Sequence, residues 1–309
     1  MYPDAVYIIA SDYYEDILKT IKESSYSNIT TYLADRNDNL LEKQLIYFSV
    51  APNEDSVVGF TYKWIERYQN LKENGSLDKM MDFTFSLLSD QKSKDIIKNR
   101  IDTFLTGDMT FINRNPIDPD SYFSDDYFKI GENEVLFDCG AFTGDTILDF
   151  VKFTNGKYQK IVSFEPDDKN LKKLFSVVEN NDLKNIIVKK VATGNSHGKI
   201  SFLNTGNMVA KVLHNTDNGN SVDLVKLDDY IDEKPTIIKM DIEGAELDSL
   251  KGASEIIRTL KPKLAICIYH LITDFYDIPK FLHELVPEYK FKVRQHEAGF
   301  CETVLYAYI

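Results

Sequence analysis

The sequence predicts a doubly wound α/β fold from about residue 127 onward, preceded by a mostly helical region. Three observations predict it. Short β-branched runs alternate with one-faced helical stretches through the last two thirds of the chain. A glycine-bearing turn directly follows the first of those runs. Between Phe60 and Leu105 the apolar residues instead fall at helical spacing.

In order, the strand-like runs are Glu134 to Phe137, Lys160 to Phe164, Ile186 to Val191, Lys199 to Leu203, Val222 to Leu227, Thr236 to Met240, Leu264 to Ile268, Lys290 to Val293 and Val304 to Tyr308. Helices fit between many of them: Ile147, Leu148 and Val151 share a face, as do Leu171, Leu174, Phe175 and Val178, and Ile278, Phe281, Leu282 and Leu285. A further helix begins near Ala245. The first third opens on a strand-like run from Ala5 to Ala10, a helical stretch from Tyr13 to Ile21 and a second apolar run from Ile29 to Leu33, a small β-α-β start. The later helical stretch breaks at Asn74-Gly75 and at Ser89-Asp90. Pro116, Pro119 and several Asp and Asn between Asn113 and Asp126 mark the domain boundary.

At 309 residues the chain has room for one large domain and a smaller one. Its net charge of −13, with no basic run, would repel a polyphosphate backbone and disfavours a nucleic-acid partner. Cys139, Cys267 and Cys301 are too few and too far apart for a disulfide framework or a CxxC metal site, and read as buried thiols of a reducing compartment. No basic segment precedes the short apolar stretch near Met1, and no apolar run is long enough to cross a bilayer. Together these predict a soluble, cytoplasmic protein without membrane insertion.

In an open parallel sheet the ligand lies beyond the carboxyl ends of the strands, so chemistry should gather just after each run. The run ending at Phe137 leads into Asp138-Cys139-Gly140-Ala141-Phe142-Thr143-Gly144 and then Asp145. A dinucleotide site needs GxGxxG, but two residues after Gly140 stands Phe142, which argues against a pyrophosphate and against a nicotinamide-dependent oxidoreductase. S-adenosylmethionine carries an ammonium, a carboxylate and a sulfonium but no phosphate, and suits the acids Asp138 and Asp145 better. A plain tight turn with a helix-capping aspartate would look the same. The next run ends in Glu165-Pro166, 21 residues after Gly144, near the separation at which a carboxylate meets both ribose hydroxyls.

From about Tyr122 to its end the chain resembles the FkbM family of class I methyltransferases. The segments that carry the likeness are Glu134 to Thr146, Phe164-Glu-Pro-Asp167, Leu227-Asp-Asp-Tyr230, Ile238-Lys-Met-Asp-Ile-Glu-Gly-Ala-Glu246 with Leu250-Lys-Gly-Ala253, and Lys261-Pro-Lys263. The ending, with Tyr269-His270, Arg294 and Glu302 to Tyr306, is similar to bacterial members among glycan-biosynthesis enzymes. The resemblance implies a seven-stranded Rossmann-like sheet with a reversed last strand, S-adenosylmethionine as cofactor, and methylation of a hydroxyl on a sugar, glycan precursor or related small molecule. It divides the chain into an accessory region, 1–121, and a methyltransferase domain, 122–309.

Within that frame Asp138, Gly140, Ala141, Gly144, Asp145, Glu165, Pro166, Ala192 and Asp241 are the expected cofactor-binding residues. The adenine should lie against the turn Val191-Ala192-Thr193. Methyl transfer to oxygen needs a base at a strand end, and His270 and Asp241 qualify. Glu243, Arg294 and His296 are candidates to touch the acceptor. Paired aspartates after two adjacent strands are missing, so no metal is expected. Lys239 reads as an ion-pair partner of Glu243 or Glu246, and Asp228 as a helix cap. The first third could cover the acceptor, form a homodimer contact or be the remnant of a larger domain. A catalytically silent cofactor-binding scaffold is the alternative; retention of Asp138, Gly140, Gly144, Glu165 and Asp241 argues against it.

Overall fold

A computed structural model of the chain describes residues 7–8, 31–32, 62–106, 110–119, 122–202, 212–213, 220–299 and 301–309. Two short strands open it, β1 (Tyr7–Ile8) and β2 (Thr31–Tyr32), which pair in parallel. The helix expected between them lies outside the described residues. Three helices follow: α1 (Tyr62–Glu73), α2 (Ser76–Leu87) and α3 (Gln91–Thr106). Their breaks fall at Asn74-Gly75 and Ser89-Asp90, as the punctuation predicts, with Gly75 at a φ of 70°.

The rest of the chain alternates strands and helices. In order these are β3 (Val135–Cys139), α4 (Asp145–Phe153), β4 (Lys160–Phe164), α5 (Asp168–Asn180), β5 (Ile186–Lys189), β6 (Val191–Thr193), β7 (Gly198–Phe202), β8 (Val212–Leu213), β9 (Asn220–Val225), β10 (Ile237–Met240), α6 (Glu246–Lys251), α7 (Ser254–Leu260), β11 (Lys263–Cys267), α8 (Asp274–Leu285), β12 (Lys290–Gln295) and β13 (Thr303–Tyr308). Seven of the strands form one sheet in the order β12-β13-β11-β10-β3-β4-β5. Neighbours from β11 through β5 run parallel, while β13 runs antiparallel to both β11 and β12. Strand order reverses between β3 and β10, so the cleft where ligands bind in such sheets opens at their carboxyl ends.

Two expectations need correction. The run Ile186 to Val191 breaks at Lys190, and the expected turn at Val191-Ala192-Thr193 is strand β6. That strand joins β7, β8 and β9 in a second, four-stranded sheet of order β6-β9-β7-β8. Periodicity showed β7 and β9 but not β6, β8 or the pairing, because alternation reports burial on one face and nothing about neighbours.

One apolar cluster links the helical region to the sheet. Tyr68, Leu77, Ile97, Ile101 and Phe104 share it with Phe291 and Val293 of β12 and Ile278 of α8. Polar bonds add to it, each a helical side chain donating to a carbonyl of the segment after β11. The Tyr68 hydroxyl reaches Ile272 at 2.7 Å, the Arg100 guanidinium reaches Tyr269 at 2.9 Å, and Thr84 Oγ1 reaches Phe275 at 3.1 Å. These carbonyls would otherwise be buried without donors, so α1 to α3 fix the path of residues 269–275.

Inside the sheet, Asp138 and Lys239 are register partners on β3 and β10, both essentially without solvent exposure. Their ion pair spans 3.3 Å, and Lys239 Nζ also donates to the Gly140 carbonyl at 2.9 Å. Burial opposes the ammonium, but the Asp138 and Asp241 carboxylates outweigh it and push its pKa up. Lys239 therefore pairs with Asp138 and not with Glu243 or Glu246. Lys239→Met would strand the Asp138 carboxylate in the sheet, and we expect a loss of about 3–5 kcal/mol in urea denaturation. Adding Asp138→Leu should restore much of that loss; a double variant as unstable as the sum of both singles would refute the pairing.

Candidate active site

The glycine turn after β3 is held from within. Gly140 has a φ of 79°, and a Cβ there would stand 1.8 Å from the Asp241 carbonyl oxygen. Only glycine lets the ends of β3 and β10 approach this closely. The N–H groups of Gly140 and Ala141 both donate to the Phe164 carbonyl, and that of Phe142 donates to Glu165 Oε2 at 2.9 Å. Three amides that would cradle a phosphate are thus spent inside the protein, which agrees with the predicted absence of a pyrophosphate site. Asp145, at the start of α4, is exposed and favourably placed at the helix N-terminus.

Glu165 lies just beyond β4, across from that turn. Its Oε1 accepts from the Asp167 N–H at 2.8 Å and from Asn170 at 3.4 Å, while Asp167 caps α5. Burial pushes the Glu165 carboxyl up to about 7, against the hydrogen bonds that favour its ionised form. Each oxygen has spare acceptor capacity for a hydroxyl donor. Pro166 is half-buried beside it.

Beyond β10 and β11 the structure brings Asp241, Glu243, Glu246 and His270 together. Glu243 and Gly244 both take left-handed backbone, with φ of 58° and 96°, so the chain doubles back before α6. His270 is 1% exposed. Its Nε2 lies 3.4 Å from Asp241 Oδ1 and 3.5 Å from Glu243 Oε2, and its Nδ1 lies 2.9 Å from Glu246 Oε1. The Nε2 contacts are ion-pair distances and that nitrogen has no hydrogen-bond partner, whereas Nδ1 lies at hydrogen-bond distance from Glu246. Against the cost of burial, Glu246, Asp241 and Glu243 push the imidazole up to about 9.

Three residues outside the predicted set complete the group. The Tyr122 hydroxyl lies 3.2 Å from Asp241 Oδ2 and 3.0 Å from Glu302 Oε2. The Tyr269 hydroxyl lies 3.2 Å from Asp241 Oδ1 and 3.4 Å from Glu302 Oε1. Burial and the Asp241 charge raise Glu302 to about 7; burial, with Asp241 and its other acidic neighbours, raises Glu243 to about 7 as well. Topology carries the signal that would have found Glu302: β13 runs against the parallel strands, so the residue before it lies where they end.

The remaining predicted residues sit elsewhere. Asp138 is fully buried against Lys239 and presents nothing to the cleft. Arg294 is fastened to Asp90 at 2.8 Å and to Ser93 at 3.0 Å at the start of α3. His296 is satisfied by Tyr306 at 2.7 Å and the Asp118 carbonyl at 3.0 Å. Ala192 packs in the small sheet with Ile200 and Val222. Asp228 accepts from the N–H groups of Glu255 and Ile256 and so caps α7, as expected. Cys139 and Cys267 are buried free thiols, whereas Cys301 is exposed. Among the described residues no helix is long and apolar enough to cross a membrane.

Comparison with known proteins identifies the family and the fold. No curated protein matches the chain. A solved methyltransferase FkbM from Methylobacillus flagellatus is 28% identical, with a TM-score of 0.68 over 78% of this chain; the chain spans 60% of that protein's length. More distant likenesses include an rRNA methylase from Streptococcus thermophilus, 14% identical with a TM-score of 0.38 over 58% of this chain and 86% of that one. Another is a precorrin-6y C5,15-methyltransferase from Geobacter metallireducens, 9% identical with a TM-score of 0.36 over 59% and 82%. The family profile of the methyltransferase FkbM domain matches residues 138–293, from the glycine turn to β12, and the chain belongs to that family of S-adenosylmethionine-dependent methyltransferases.

Proposed function

We propose that the chain methylates a hydroxyl of a sugar or glycan precursor, a neutral polyol in the cytoplasm. The observation that carries this reading is the ring of carboxylates and tyrosine hydroxyls around Asp241, immediately beside the glycine turn. Carboxylates accept hydrogen bonds from sugar hydroxyls, and the same negative charge repels phosphate and nucleic acid.

On the donor side Glu165 accepts both ribose hydroxyls, with Pro166 stiffening its turn. Gly140, Ala141, Gly144 and Asp145 line the methionine end, and the backbone near Ala192 flanks the adenine. On the acceptor side Asp241, partly open to solvent, takes the proton as the oxygen attacks the sulfonium methyl. The new O–C bond forms as the C–S bond breaks, and sulfur keeps the electron pair. With its pKa near 9, His270 is an imidazolium at neutral pH, so it holds Asp241 and Glu243 in place instead of accepting the proton. Glu243 and Glu302 orient the acceptor.

Two measurements test this. Ribose hydroxyls donate to the ionised form of Glu165, whose carboxyl titrates at about 7 before cofactor arrives. Affinity for S-adenosylmethionine should therefore rise as pH passes upward through 7, with proton release visible in buffers of different ionisation enthalpy. Glu165→Gln should bind at least about ten-fold more weakly and lose the pH dependence; an unchanged profile would remove Glu165 from the ribose. The second is a screen of neutral sugars and glycan precursors for release of S-adenosylhomocysteine. Asp241→Asn should lower kcat by about 10²-fold or more while cofactor affinity stays within a few-fold. Full turnover by that variant would exclude Asp241 as the base.

A further inference from the structure

We infer that His270 Nε2, Asp241 Oδ1 and Glu243 Oε2 form a divalent-cation site at the acceptor side of the cleft. The inference deepens the reading of that cleft as a hydroxyl-methylating site. Two donors bound to one ion at about 2.1 Å stand about 3 to 3.5 Å apart. The His270 nitrogen meets Asp241 at 3.4 Å and Glu243 at 3.5 Å.

The acids alone would not make a site; the histidine does. It is 1% exposed, faces carboxylates on both sides, and its Nε2 has no hydrogen-bond partner. Buried polar atoms are rarely left so without a partner. Glu246 lies 2.9 Å from Nδ1, on the far side of the ring from the proposed ion, the place of the carboxylate that orients a metal-bound imidazole. Three carboxylates face one imidazole, and a divalent cation answers that excess.

The sequence lacks paired aspartates after adjacent strands, so it pointed away from metal. In the structure His270 takes the second place, and the left-handed turn at Glu243 supplies a third donor. One imidazole with two carboxylates suits a cation of the manganese type. Bound there, it would displace the proton that His270 otherwise carries at neutral pH and lower the pKa of the acceptor hydroxyl, whose proton passes to Asp241 Oδ2.

The test is calorimetric titration of the full chain with MnCl2, with MgCl2 and ZnCl2 as further arms, alongside the electron paramagnetic resonance of bound Mn²⁺. We expect one Mn²⁺ per chain, a rise in Tm, and at least ten-fold weaker binding in His270→Gln and in Glu243→Gln. Circular dichroism separates ligand loss from misfolding, and should either variant fail to fold the other carries the test. No binding, or binding that both folded variants retain, overturns the site. S-adenosylmethionine affinity is measured on the same samples. Cofactor binding without Mn²⁺ binding defeats the cation site alone, and Mn²⁺ binding without cofactor binding defeats the donor reading instead.

Discussion

The contact on which the active site depends is the approach of the Gly140 backbone to the Asp241 carbonyl. A single methyl group on Gly140 would occupy the space that carbonyl fills, at 1.8 Å. The glycine turn and Asp241, the proposed donor turn and acceptor acid, are therefore set against each other by bare backbone, with no side chain between them to flex. Lys239 fixes the arrangement from below, because it bonds the Gly140 carbonyl while its charge is balanced by Asp138 one strand away. In-line transfer between a sulfonium and a hydroxyl depends on such registration, since small misplacements of the reacting atoms cost large factors in rate.

The acceptor side depends on a longer chain of support. His270 belongs to a loop, and loops move unless something fastens them. Here Arg100, Tyr68 and Thr84, all from the helical region, bond carbonyls at residues 269, 272 and 275. Residues before the methyltransferase segment thus serve the site without touching it. They also share one apolar cluster with the sheet, so loosening α1 or α3 would be felt at the His270 loop.

Local features of the sequence were legible, and long-range ones were not. The strands of the main sheet, the helix breaks at Gly75 and Asp90, the glycine turn and Glu165 all declare themselves through periodicity or turn chemistry within a few residues. Lys239 could not be matched to its partner, because Asp138 lies 101 residues away and only the β3–β10 register joins them. Arg294 and His296 looked like residues of a cleft mouth, yet their surroundings are Asp90, Ser93, Asp118 and Tyr306, set by packing that no local pattern encodes. Tyr122 was hidden in a proline-rich boundary that reads as linker. Glu302 becomes predictable once the reversed direction of β13 is considered.

Two buried histidines, His270 and His296, show how burial alone misleads and how partners decide. His296 spends both ring nitrogens on neutral groups, a tyrosine hydroxyl and a carbonyl, and burial lowers its pKa. It is a neutral structural residue, and substituting it should disturb packing more than chemistry. His270 is buried more deeply, yet its nearest groups are carboxylates, and they raise its pKa in spite of burial. An imidazole meant only to fill space would be cheaper with His296's partners than with these. The protein keeps a buried, charge-surrounded ring at the end of β11, against the acids that follow β10, and that placement separates His270 from His296.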